Sequence, residues 1–136
     1  MVDRLLFLNT HWIPQPNNNV GRSLIGKKAE DIAYSFLKKN GLELITRNYR
    51  CRFGEIDLIM QDSEILVFVE VRYRKSDKYG SAIESVDFNK QRKLVFTVKH
   101  CLSKTSNEQP TRLDIVALSS NEPPQWIIDA FMAHDG

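Results

Sequence analysis

Two neighbouring stretches of the chain, residues 55–62 and 65–73, are rich in Ile, Leu, Val and Phe, and each alternates with period two. The polar gap between them, Asp62-Ser63-Glu64, predicts a hairpin with Ser63 and Glu64 as its loop. Counting outward from Asp62 opposite Ile65 sets Asp57 opposite Glu70 and Glu55 opposite Arg72. One face then carries Ile56, Leu58, Met60, Val67, Val69 and Val71, apolar throughout. The other carries Ile59, Leu66 and Phe68 near the turn, then Asp57, Glu70, Glu55 and Arg72 at the open end.

The period lengthens to that of a helix on either side. Residues 23–40 place Ile25, Ala29, Ile32, Ala33, Phe36 and Leu37 on one apolar face, with Glu30 at its edge and Asn40-Gly41 as a stop. Residues 88–103 form a second helix, with Asp87 as its N-cap and a core stripe of Leu94, Val95, Val98, Cys101 and Leu102. A short strand is expected over 42–45, another over 112–118 and a last one over 126–128. In 112–118 Asp114 reads as an ion-pair partner of Arg112, a structural role, with an accessory acid as the alternative. The order α-β-β-β-α-β-β predicts an α/β fold with a mixed central sheet flanked by helices.

At 136 residues the chain has the length of one domain with its own core. Residues 21–136 carry the periodic elements. Residues 1–20, with Pro14, Pro16 and Asn17-Asn18-Asn19, read as a flexible extension in which His11 and Trp12 belong to an unstructured tail. Its run Leu5-Leu6-Phe7-Leu8 is too short for a membrane span or a signal peptide. Cys51 and Cys101 lack a CxxC spacing and fit buried thiols in a reducing cytoplasm. Hydrophobic content of 42% and charged content of 26% are ordinary for a soluble domain, and a net charge of +2 does not by itself indicate nucleic-acid binding. Phosphate-loop, dinucleotide and nucleophile-elbow motifs are missing, and His11, His100 and His134 have no zinc spacing.

Charge placement adds more than charge total. Asp57 and Glu70 side by side on a sheet repel each other, and a hard divalent cation such as magnesium or manganese relieves that repulsion. The same acids with Arg72 also fit a solvated, salt-bridged surface. Three basic segments bracket the pair: Arg47, Arg50 and Arg52 before it, Arg74 and Lys75 after it, and Lys90 and Lys93 opening the second helix. That arrangement suits phosphates gripped on either side of a metal site, although a charge run alone is usually a solvated face.

An acid, a hairpin and then Glu-x-Lys on the next strand is the signature of the PD-(D/E)XK nuclease superfamily. This chain resembles it with Ile56 in place of the proline and Arg72 at the lysine position. More closely, GEIDLIM followed by VFVEVRYR resembles the YraN family of Holliday-junction-resolvase-like endonucleases. The likeness runs through Gly26-x-x-Ala29-Glu30-x-x-Ala33, Arg47-Asn48-Tyr49-Arg50, Arg112-Leu113-Asp114-Ile115-Val116 and Trp126-Ile127-Ile128-Asp129-Ala130-Phe131. The resemblance implies a restriction-endonuclease-like core and a magnesium- or manganese-dependent hydrolase of DNA, with branched molecules as substrates. It implies Asp57, Glu70 and the Val71 carbonyl as metal ligands, with Glu30 joining the cluster from the first helix; from the residues alone Glu30 is a boundary glutamate. A cytoplasmic protein is expected, and resolvases of this kind are commonly dimers. Arg72 stays protonated and cannot accept a proton, so Lys90 or Lys93 is the alternative occupant of the lysine's role. A nucleic-acid-binding module of the same fold without turnover is the competing reading, and an interaction protein with salt-bridged acids is a third.

Overall fold

A computed structural model describes residues 24–74, 86–105, 108–120 and 122–131. The expected extension at 1–20, His11 and Trp12 within it, and Lys75 lie outside the described residues. Seven elements follow in the expected order: α1 (Leu24–Lys39), β1 (Glu43–Cys51), β2 (Gly54–Asp62), β3 (Ile65–Arg74), α2 (Phe88–Ser103), β4 (Thr111–Ser119) and β5 (Gln125–Ile127). The strands form one sheet in the order β1-β2-β3-β4-β5. Only β3 and β4 among these neighbours run parallel, because α2 carries the chain back between them. The fold is therefore mixed α/β, with a five-stranded sheet and two helices.

The hairpin register agrees with the count made from the sequence: Asp62 pairs with Ile65, and the ladder runs to Leu58 opposite Val69. Ser63 takes the positive φ of 53° that a tight loop requires. The helix α2 has the expected bounds, and Asp87 caps it by accepting a hydrogen bond from the Lys90 N–H at 2.8 Å. Gly41, at φ 96°, ends α1 and lets Leu42 N–H reach the Leu37 carbonyl.

Two buried clusters cover the two faces of the sheet. Ala29, Ala33 and Leu37 of α1 pack on Leu58, Met60, Val67 and Val69, joined by Val116 and Leu118 of β4. On the other face, Leu94, Val98 and Cys101 of α2 pack on Ile59, Leu66, Phe68, Leu113 and Ile115. Val95 and Leu102, expected in that stripe, are half-buried.

Four local departures from the expected pattern have physical causes. First, α1 is rolled so that Glu30, expected at the edge of the apolar face, is 2% exposed, while Ile32, expected within that face, is 52% exposed. The Ala29-Ala33-Leu37 stripe lets the helix lie close to the sheet, and Arg47 meets Glu30 from β1. The side chain of Ile25 lies outside the described part. Second, the basic run is not a separate segment: Arg47 and Arg50 lie in the second half of β1, which is continuous from Glu43 to Cys51 with a register shift between Leu44 and Thr46, and Arg52 lies in the turn that follows. Third, Ile56 belongs to the cluster beneath α2, not with Leu58 and Met60. Tyr49 pairs with Ile56 and follows it, while Arg47 pairs with Leu58 and meets α1. The change of face falls at Asn48, whose left-handed φ of 57° redirects the strand. Fourth, Glu55 pairs with Arg50 of β1, at 2.7 and 3.1 Å, and the described β2–β3 ladder stops before it reaches Arg72.

Gly54 opens β2 at φ 148°, where a Cβ would stand 3.1 Å from Thr97 Oγ1. That hydroxyl is fixed by donating to the Lys93 carbonyl at 2.7 Å. Gly54→Ala is therefore expected to lower stability by about 1–3 kcal/mol, measured by urea titration. A variant as stable as the wild type would show that strand entry under α2 tolerates a side chain.

Candidate functional site

The chemistry collects where β2 and β3 part. Their ladder ends at Leu58–Val69, and the next residue of β2 is Asp57. Its carboxylate takes over the pairing by accepting the Val71 N–H at 2.8 Å. Glu70, the residue between Val69 and Val71, comes beside it. The two carboxyls share a hydrogen bond and a repulsion strong enough to perturb Glu70. Glu70 is 5% exposed. Burial first, and then the negative charge of Asp57, raise its pKa from 4.5 to about 8, against the opposing pull of Lys90 and Arg72.

Two cations reach this pair. Lys90 Nζ, from the first turn of α2, lies 3.6 Å from Glu70 Oε2, and Arg72 Nη1 lies 3.8 Å from the same oxygen. Of the two lysines considered as substitutes for the one replaced by Arg72, Lys90 is thus at the acids. Lys93, one turn further along α2, lines an adjoining groove of about 390 Å³ together with Arg50, Arg52, Phe53, Glu55 and Lys90. The carboxylate pair and the basic groove meet at Lys90.

Other expected site residues are engaged elsewhere. Arg47 donates to Asp31 at 2.8 Å, lies 3.5 Å from Glu30 and stands over the Tyr34 ring, all on α1. Arg74 closes β3 opposite Ser119 of β4. Glu30 enters from α1, which covers the face opposite to α2. Among the described residues, no three His, Cys, Asp or Glu side chains gather closely enough to hold a metal. The acids of this corner are the pair Asp57 and Glu70.

The donor chemistry of the pair nonetheless fits a hard cation. Two adjacent carboxyls, one of them buried, repel when both ionise, and a divalent ion bound there would relieve that repulsion. The main chain at Val71 is held against Asp57 by its N–H.

Asp114 has a different role, as its alternation beside Arg112 indicates. It is fully buried and accepts from three N–H donors: Arg112 Nε, shared between its two oxygens at 3.0 and 3.1 Å, Trp126 Nε1 at 2.9 Å and the Asp129 N–H at 2.9 Å. Arg112 also donates to Asp62 at 3.0 Å. One carboxylate thus ties β4 to β5 and to the tip of the hairpin. It accounts for both the Arg-Leu-Asp and the Trp-Ile-Ile-Asp motifs. Sequence reasoning left out the aromatic side chains of α2, Phe88 and Phe96, although their position outside the core stripe marks them as exposed.

Fold and site together define a mixed α/β domain with a paired-carboxylate corner at the split end of a hairpin and a basic groove beside it. No helix among the described residues is long and apolar enough to cross a membrane. The chain belongs to the uncharacterised protein family UPF0102, whose model matches residues 29–118, a span that includes every residue of the carboxylate corner. It is similar to UPF0102 proteins of Psychromonas ingrahamii, with 49% identity over 78% of this chain and 88% of the relative, and of Nitrosospira multiformis, with 50% identity over 79% and 92%. A third, from Nitrosococcus oceani, shares 45% identity over 78% of this chain and 90% of its own length.

Proposed function

We propose that this protein is a metal-dependent nuclease that binds DNA and hydrolyses its phosphodiester bonds at the Asp57–Glu70 corner. The observation that carries the reading is a buried, charge-perturbed Glu70 beside the half-buried Asp57, in contact with two cations at the mouth of a basic groove. The sequence's resemblance to YraN endonucleases and to the PD-(D/E)XK superfamily supports it independently, since the motif acids are these two.

Asp57 and Glu70 hold magnesium or manganese, with the Val71 carbonyl as a further ligand. A bound ion of this kind supplies a water of lowered pKa and a Lewis acid for the phosphate oxygens. The chain's own groups do the rest. Lys90 and Arg72 neutralise the acids at rest and face the charge that develops on the phosphate. Arg72 stays charged throughout, so it positions and never accepts a proton. Lys90 is the amine that occupies the superfamily lysine's role. Arg52 and Lys93 hold flanking phosphates along the groove.

The deciding experiment incubates purified protein with branched, single-stranded and duplex DNA in millimolar manganese. Cleavage by the wild type and its loss, by at least a hundredfold, in Asp57→Ala is the expected outcome. Salt-sensitive binding without any cleavage would favour a binding module of the same fold, a reading that the arginine at position 72 keeps open.

A further inference from the structure

The outer face of α2 carries an unusual alternation of rings and guanidinium groups. Phe88 is 70% exposed and Phe96 is 44% exposed. Arg92, between them in the helix, stands 5.8 Å from the centre of one ring and 5.7 Å from the other. Phe96 continues the row to Phe53 of the β1–β2 turn at 6.0 Å, and Arg52 covers that ring at 4.8 Å. Phe53 and Arg52 in turn line the basic groove with Lys90 and Lys93. The row therefore starts in the groove and leaves it along the helix.

Phe88 and Phe96 belong to neither buried cluster, and Arg92 of the same helix stands against both rings. Two features of this face select the partner. Four cations, Arg50, Arg52, Lys90 and Lys93, face one carboxylate, Glu55, in the adjoining groove, which suits a polyanion. The rings are presented singly along a helix rather than massed as an apolar patch. Phe88 and Phe96 lie eight residues apart, about 12 Å along the axis, a few nucleotides at the stacked rise of about 3.4 Å. Rings beside a phosphate-holding groove are how single strands are bound without sequence preference, since every base has a face to stack. A closed duplex hides those faces.

We propose that Phe88 and Phe96, with Arg92 between them, form a stacking platform for the unpaired bases of a single nucleic-acid strand whose phosphates lie along Arg52, Lys93 and Lys90. The proposal rests on the phosphodiester reading above and narrows its substrate to molecules with an unpaired segment next to the bond at the carboxylate pair.

The test measures binding of the full chain, in EDTA, to labelled single-stranded DNA, single-stranded RNA and blunt duplex DNA across a salt series. The wild type should bind single strands more tightly than duplex. Phe88→Ala with Phe96→Ala should weaken single-strand binding by about 10- to 100-fold. Duplex binding should change less than twofold, and the salt slope should stay constant because phosphate contacts are kept. The ratio of DNA to RNA affinity in the single-strand arms identifies the polymer. Phe88→Trp, which keeps a ring in place, should retain affinity and lose indole emission on adding a single strand but not a duplex. Equal weakening for duplex and single strand, or none for either while salt-sensitive binding persists, would overturn the platform and leave the nucleic-acid reading standing. No salt-sensitive binding to any of the three would overturn both.

Discussion

Glu70→Gln is expected to make the metal-free protein more stable than the wild type at pH 9, to match it near pH 4, and to lose the stabilisation that manganese gives the wild type. The sign follows from the direction of the shift. Glu70 holds its proton more tightly in the folded chain, at about 8, than at its ordinary value of 4.5. Its contribution is therefore complete below pH 4.5, erodes above it, and is lost as pH rises through 8. Over that span the loss is on the order of 4 kcal/mol. Glutamine fills the same space without a charge to desolvate or to oppose Asp57, so its stability stays flat across the window. A divalent ion at the proposed site is expected to change the wild type in the opposite direction, because it would take the place of the proton. At a hundredfold excess over Kd the gain is about 2.7 kcal/mol, a rise in melting temperature of about 10 °C for a chain of this size. Thermal melts at pH 5, 7 and 9, with and without 5 mM manganese (a concentration of roughly this size sets the excess), measure both effects. A mutant that keeps the full manganese shift would remove Glu70 from the proposed metal site.

Asp114→Ala is expected to lower stability by about 3–5 kcal/mol, with no dependence on metal. The size comes from what remains after the carboxylate is gone. Arg112 keeps its charge at the half-buried end of β4 with Asp62 as its remaining carboxylate and the Trp126 ring beside it, and the Trp126 indole N–H and Asp129 N–H lose their acceptor. Asp114→Asn should cost less, because one amide oxygen still accepts from the indole or the backbone. Chemical denaturation followed by tryptophan emission would measure the difference. A loss below 1 kcal/mol for alanine would mean that water replaces the carboxylate at no cost.

These two acids show how far the sequence could be read. The hairpin register was countable from a two-residue loop, and that count alone brought Asp57 beside Glu70. The bounds of α2 were equally legible, because Asp87 supplies a cap where the periodic stripe begins. Asp114 was assigned correctly because Arg112 stands two residues away on the same face. The roll of α1 was not legible. Its small residues Ala29 and Ala33 allow a close approach whose direction depends on Arg47, a residue far away in the chain, and that pairing draws Glu30 inward and leaves Ile32 in solvent. The change of face at Asn48 also escaped, since a left-handed non-glycine leaves no trace in the hydrophobic period. The arrival of Lys90 at Glu70 depends on the crossover between two parallel strands. Local patterns do not encode how such a crossover docks.

The strand β1 forms one edge of the described sheet, nine residues long. Free strand edges invite pairing with a second chain, which is a route to aggregation. Three features already described oppose that outcome here. The register shift after Leu44 and the left-handed Asn48 bend the strand away from the straight course that an added strand would need. Arg47 and Arg50 project from the same stretch with their acidic partners Asp31 and Glu55, and an added strand would have to accommodate these ion pairs. A β1 of this irregular course is thus expected to disfavour edge-to-edge association between copies of the chain.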